Sequence, residues 1–107
     1  MEWDVNFYNK KLIMEIAGWP RGIGVKFARI LNLIKNCGPE KVGMPHIKPM
    51  KQGLFEIRAN GSEGIGRAFF CIKKGRVIII LSCFIKKTQK TPASEIALAR
   101  KRMEEVL

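Results

Sequence analysis

The run Val77-Ile78-Ile79-Ile80-Leu81-Ser82-Cys83-Phe84-Ile85 constrains this chain more than any other stretch. It is rich in β-branched residues, is interrupted by a single hydroxyl and follows a turn signal, so it reads as a strand. Both of its faces are apolar, which predicts an interior strand covered on each side. A length of 107 residues at 47% hydrophobic supports one modest core, hence a single domain over residues 1–107. The run is far short of a membrane span, and no membrane partner is expected.

The flanking segments supply the layers. Residues 2–8 alternate, with Trp3, Val5 and Phe7 opposite Glu2, Asp4, Asn6 and Tyr8, as in a half-buried first strand. A helix is predicted over Lys10–Ala17, burying Leu12, Ile13 and Ile16, with Gly18-Trp19-Pro20 ending it. A second helix, Pro20–Asn36, carries the stripe Ile23, Phe27, Ile30, Leu31 and Ile34, and Cys37-Gly38-Pro39 stops it. Residues 38–53, punctuated by proline and glycine, read as loop. Leu54–Ala59 and Arg67–Ile72 alternate as strands two and three, and Lys74-Gly75 turns strand three into strand four. Thr91 is predicted to cap a last helix with Pro92 at its first position, Glu95 in its first turn and Ile96, Ala99, Met103 and Val106 as its stripe. The order β-α-α-β-β-β-α is α+β: an antiparallel sheet with helices grouped to one side.

Charge then narrows the function. The chain carries a formal +11. Between Gly64 and Ser94 it holds Arg67, Lys73, Lys74, Arg76, Lys86, Lys87 and Lys90 and not one carboxylate. A solvated strand edge also carries lysines, but usually with acids among them. Unneutralised positive charge on a rigid β element suits a polyanion, and nucleic acid is the obvious one. Membrane attachment would instead put lysines along one amphipathic helix. The odd set Cys37, Cys71 and Cys83 has no metal-ligand spacing and reads as free thiols in a reducing cytoplasm. The acidic opening Met1-Glu2-Trp3-Asp4 is unlike a targeting signal.

The segments Gly53-Leu54-Phe55-Glu56-Ile57-Arg58, Arg67-Ala68-Phe69-Phe70, Phe84-Ile85-Lys86-Lys87-Thr88-Gln89-Lys90-Thr91-Pro92 and Glu95-Ile96-Ala97-Leu98-Ala99-Arg100 resemble the phage-derived HigB-like branch of the RelE superfamily, over roughly residues 24–105. The resemblance implies a RelE-like fold and a cytoplasmic toxin of a bacterial type II toxin–antitoxin pair. Its activity would be that of an endoribonuclease (mRNA interferase) cutting mRNA on the ribosome without a cofactor. The implied partners are mRNA, the ribosome and a HigA-like helix-turn-helix antitoxin, through which alone operator DNA would be contacted. The rival class is a basic module that grips RNA or DNA without cutting it, because phosphate clamps serve both ends.

Attack of a ribose 2′-OH on the neighbouring phosphate needs charge neutralised at a crowded phosphorus and, ideally, two protons moved. Arg58 and Arg67 are the first candidates, since guanidinium binds phosphate oxygens bidentately and keeps its charge. Both lie on strand faces opposite Phe55/Ile57 and Ala68/Phe70, so they meet if strands two and three pair; the competing role for Arg58 is an ion pair with Glu56. Lys86 and Lys87 follow, as adjacent ammonium groups that depress each other's pKa and so suit a proton shuttle, or as a solvated strand end. Gln89, Lys90, Lys73 and Lys74 would extend the contact along RNA. His46, the sole histidine, is a candidate acid or base in a proline-flanked loop, where surface histidines are common. Several toxins of the resembled family place a tyrosine or histidine near the C-terminus for proton transfer; the region after Lys90 has neither. No metal site is expected.

Overall fold

The computed structural model describes residues 2–86 and 91–107. In chain order the elements are β1 (Asp4–Phe7), α1 (Lys10–Ala17), α2 (Arg21–Cys37), a one-turn α3 (Pro39–Val42), β2 (Ile47–Pro49), β3 (Leu54–Gly61), β4 (Gly64–Lys73), β5 (Val77–Lys86) and α4 (Ala93–Val106). The strands form one sheet in the order β1-β5-β4-β3-β2. The apolar run is β5, an interior strand flanked by β1 and β4, and Ile78 to Leu81 are buried on both of its faces.

Each face of β5 needs its own cover, and the helices divide accordingly. The Ile23, Phe27, Ile30 and Ile34 stripe of α2 packs with Leu12 of α1 over Ile57, Ala59, Ala68, Phe70, Ile78 and Ile80. On the other face, Ile96, Ala99, Met103 and Val106 of α4 close over Leu54, Phe69, Cys71, Ile79 and Leu81. This corrects the expectation of helices on one side only; a strand apolar on both faces cannot be satisfied that way. Within α1, Ile13 is 48% exposed, because it sits a helical step away from the Leu12–Ile16 face.

Three further differences have local causes. β2, β3, β4 and β5 pair antiparallel, but β1 joins β5 in parallel, from Asp4 opposite Val77 to Phe7 opposite Ile80. Alternation fixes the face of a strand and says nothing of its direction. The segment read as loop holds α3 and β2: Pro39 suits a first helical turn, and Pro49 is tolerated because β2 is an edge strand. α4 starts one residue later than expected, with Pro92 rather than Thr91 as its cap; the Pro92 carbonyl accepts from the Glu95 and Ile96 amides.

The β3–β4 hairpin is fastened to the start of α2. Glu63, in its turn, accepts a hydrogen bond from the Gly22 amide at 2.9 Å, and that contact holds the Glu63 carboxyl below its ordinary pKa. Gly66 allows the close approach, since a Cβ there would come within 2.6 Å of Ile23 Cγ2 and 2.7 Å of Trp19 Cζ3. Gly66→Ala is therefore expected to destabilise the fold by about 1–3 kcal/mol. Thermal unfolding should report a Tm several degrees lower, and an unchanged Tm would mean that α2 shifts freely over the sheet.

Cys71 and Cys83 are buried free thiols and Cys37 is an exposed one. Burial, with a hydrogen bond to Glu15, pushes Cys83 up to about 12, so the thiol is inert at neutral pH.

Candidate active site

The face of the sheet that α4 covers is only partly sealed. α4 occupies the end bearing Leu54, Phe69, Cys71, Ile79 and Leu81. At the other end, alternation puts Glu56 and Arg58 of β3 and Arg67 of β4 on this same face, and a bulge in the β4–β5 ladder, where Phe69 faces Ser82 but Phe70 faces Ile80, switches the parity of β5 so that Phe84 and Lys86 join them.

Register then brings the polar residues together. Arg58 is directly opposite Arg67, and Arg67 is opposite Phe84. The Arg58 amide donates to the carbonyl of His46 at 2.8 Å, one residue before β2 begins at Ile47 opposite Ile57. One row across three strands therefore reads Arg58, Arg67, Phe84, and the His46 carbonyl is tied to its Arg58 end. Lys86, half-buried and opposite Ile65, stands one row further out.

Two guanidinium groups facing each other across a strand pair repel. Glu56 offsets this from the adjacent row: its Oε1 lies 3.0 Å from Arg58 Nε and its Oε2 3.8 Å from Arg67 Nε. The side chains of Arg58, Arg67 and Glu56 are 28%, 7% and 2% exposed. Burial lowers the Arg67 pKa from its ordinary value, with Arg58 adding to the effect and Glu56 opposing it. The cluster carries two positive charges and one negative, a net excess of one in a weakly hydrated setting. Moreover, Arg67 Nε and Nη1 and Glu56 Oε2 are buried without a hydrogen-bond partner. Buried donors are normally satisfied, and a cation with free donors on a desolvated floor is what an incoming oxyanion needs.

The sequence candidates sort themselves by this geometry. Arg58 and Arg67 meet. The Arg58–Glu56 ion pair, set against a functional role in the sequence reading, is present as well, and it is part of how the two arginines are held. Lys86 lies at the same end of the sheet. Lys73 and Lys74 do not join them: they sit at the β4–β5 turn, six residues along β4 from Arg67, or roughly 20 Å at strand rise. Lys87, Gln89 and Lys90 lie outside the described residues. His46 comes closer than its loop context implied. The signal that would have found it is the pairing of Ile47 with Ile57 around the Lys51-Gln52-Gly53 turn, which brings the His46 carbonyl to the Arg58 amide.

Among the described residues, no three His, Cys, Asp or Glu side chains gather to hold a metal ion, and no helix is long and apolar enough to cross a membrane. The sequence profile of the family described as Phage derived protein Gp49-like (DUF891) matches residues 14–104. No match is found among curated proteins.

Proposed function

Because the chain belongs to the Phage derived protein Gp49-like family, we propose that it is the toxin of a type II toxin–antitoxin pair and acts, in the manner of RelE and HigB toxins, as an endoribonuclease on translated mRNA. The observation that carries this reading is the facing pair Arg58 and Arg67, with two buried Arg67 donors unpartnered.

The chemistry follows from charge. The 2′-oxygen forms a bond to phosphorus, the P–O5′ bond breaks, and the products are a 2′,3′-cyclic phosphate and a free 5′-OH. Negative charge grows on the non-bridging oxygens as the fifth bond forms. Arg67 and Arg58 bind those oxygens from a site that stays positive by one charge, so they stabilise the transition state more than the singly charged ground state. His46, beside Arg58, takes the 2′-OH proton, and Lys86 returns a proton to the departing 5′-oxygen. A helix-turn-helix antitoxin of the HigA kind would hold the toxin silent and contact operator DNA on behalf of the pair.

The test is to co-express the chain with the product of the neighbouring gene, withdraw that product, and map the 5′ ends of cellular mRNA. Growth arrest with new 5′ ends phased to codons is expected. New ends without codon phase would remove the ribosome from the reading. An intact mRNA pool in growing cells would eliminate the nuclease and leave the binding module.

A further inference from the structure

We propose that Phe84 is a stacking platform for the nucleobase beside the scissile phosphate, so that the site grips one base as well as the backbone of single-stranded RNA. The inference rests on the nuclease reading above.

Three phenylalanines lie on β4 and β5, and they differ in one respect. Phe69 and Phe70 are fully buried, one under α4 and the other under α2, as core residues should be. Phe84 is only half-buried. It packs on the small core beneath α4, with its ring 6.0 Å from that of Phe69 at an interplanar angle of 34°, and keeps part of its surface in solvent. Its position is the one directly across from Arg67, with Lys86 two residues further along the same face of β5.

An apolar ring left partly wet beside a cluster of cations gains little for the fold. It gains more if a flat apolar ligand completes its burial. Nucleobases are such ligands, and single-stranded RNA is recognised by stacking unpaired bases on aromatic side chains while cations track the phosphates. A phosphate held by Arg67 places the adjoining base one strand spacing away, over β5, where Phe84 stands. Lys86 then flanks the next phosphate. Stacking is tolerant of base identity and strongest for the larger ring systems, so the site favours a purine there.

The probe is a short RNA whose 2′-hydroxyls are all methylated, which blocks cleavage, carrying one 2-aminopurine, alongside the same strand with that position abasic. The full-length protein should quench the 2-aminopurine on binding and bind the abasic strand more weakly by roughly 5- to 100-fold, the loss expected for one base–aromatic stack. Phe84→Leu should erase both the quenching and the difference between strands, while Phe84→Trp should retain them. Circular dichroism and the salt dependence of binding check that each variant keeps its fold and its phosphate contacts. If folded Phe84→Leu still quenches and still discriminates between the strands, Phe84 is not the platform. The two readings also separate cleanly. Wild-type protein that cuts unmethylated RNA but shows no preference for a base over an abasic site overturns only this inference. Base discrimination without any cleavage in cells overturns only the nuclease.

Discussion

Arg67→Lys is expected to slow RNA cleavage by about 100- to 1,000-fold, the usual consequence of losing one preorganised donor to a developing oxyanion. Formal charge is conserved, so the substitution asks whether charge alone suffices. Arg67 offers a planar fork whose Nε and Nη1 make no hydrogen bond, on a side chain 7% exposed. Lysine replaces the fork with a single ammonium that is harder to desolvate, and burial moves its pKa toward neutrality where guanidinium stays charged. Arg58→Lys should lose less, because Arg58 is 28% exposed and its Nε is already engaged by Glu56 at 3.0 Å. Single-turnover cleavage is the measurement that separates the cases: the rate should fall while affinity for RNA changes by a few-fold at most. An Arg67→Lys enzyme within about threefold of wild type would mean that the phosphate never reaches β4.

Much of this arrangement was legible in the chain. Parity did most of it: Arg58 is an odd number of residues from Phe55 and Arg67 from Ala68, so both arginines fall on the face away from the α2 core once strands are assigned. The stripes of α2 and α4 and the turn at Lys74-Gly75 were equally readable from period and punctuation. What escaped was pairing. β2 has three residues, too few to show a period, and without it His46 had no neighbour. The clustering of basic residues along the chain also misled. Lys73 and Lys74 are close to Arg67 in sequence, yet an extended strand carries them to the opposite end of the sheet. Glu56 was read as a partner for Arg58 alone. Its burial between two arginines depends on the β3–β4 register, which no local pattern encodes.

That register makes Glu56 the second decisive residue. Glu56→Ala is expected to destabilise the fold by about 3–5 kcal/mol, because it leaves two facing guanidinium groups without their shared counter-charge on a nearly dry floor. For a domain whose total stability is on the order of 5–15 kcal/mol, that is a large part of the whole. Urea titration should show the midpoint collapsing at constant slope. Two companion results identify the cause as electrostatic rather than a simple cavity. Phosphate or sulfate should raise the Tm of Glu56→Ala well beyond its effect on wild type, since the bereft arginines will bind an anion in place of the carboxylate. The double variant Glu56→Leu, Arg67→Met should recover most of the lost stability, as apolar replacements for buried ion pairs do. It should nevertheless have no nuclease activity, having lost the group that meets the phosphate. If instead Glu56→Ala unfolds at the wild-type midpoint and ignores added anions, the two arginines do not press on each other at all. The local excess of positive charge on which the proposed catalysis depends would then have to be found elsewhere on the sheet.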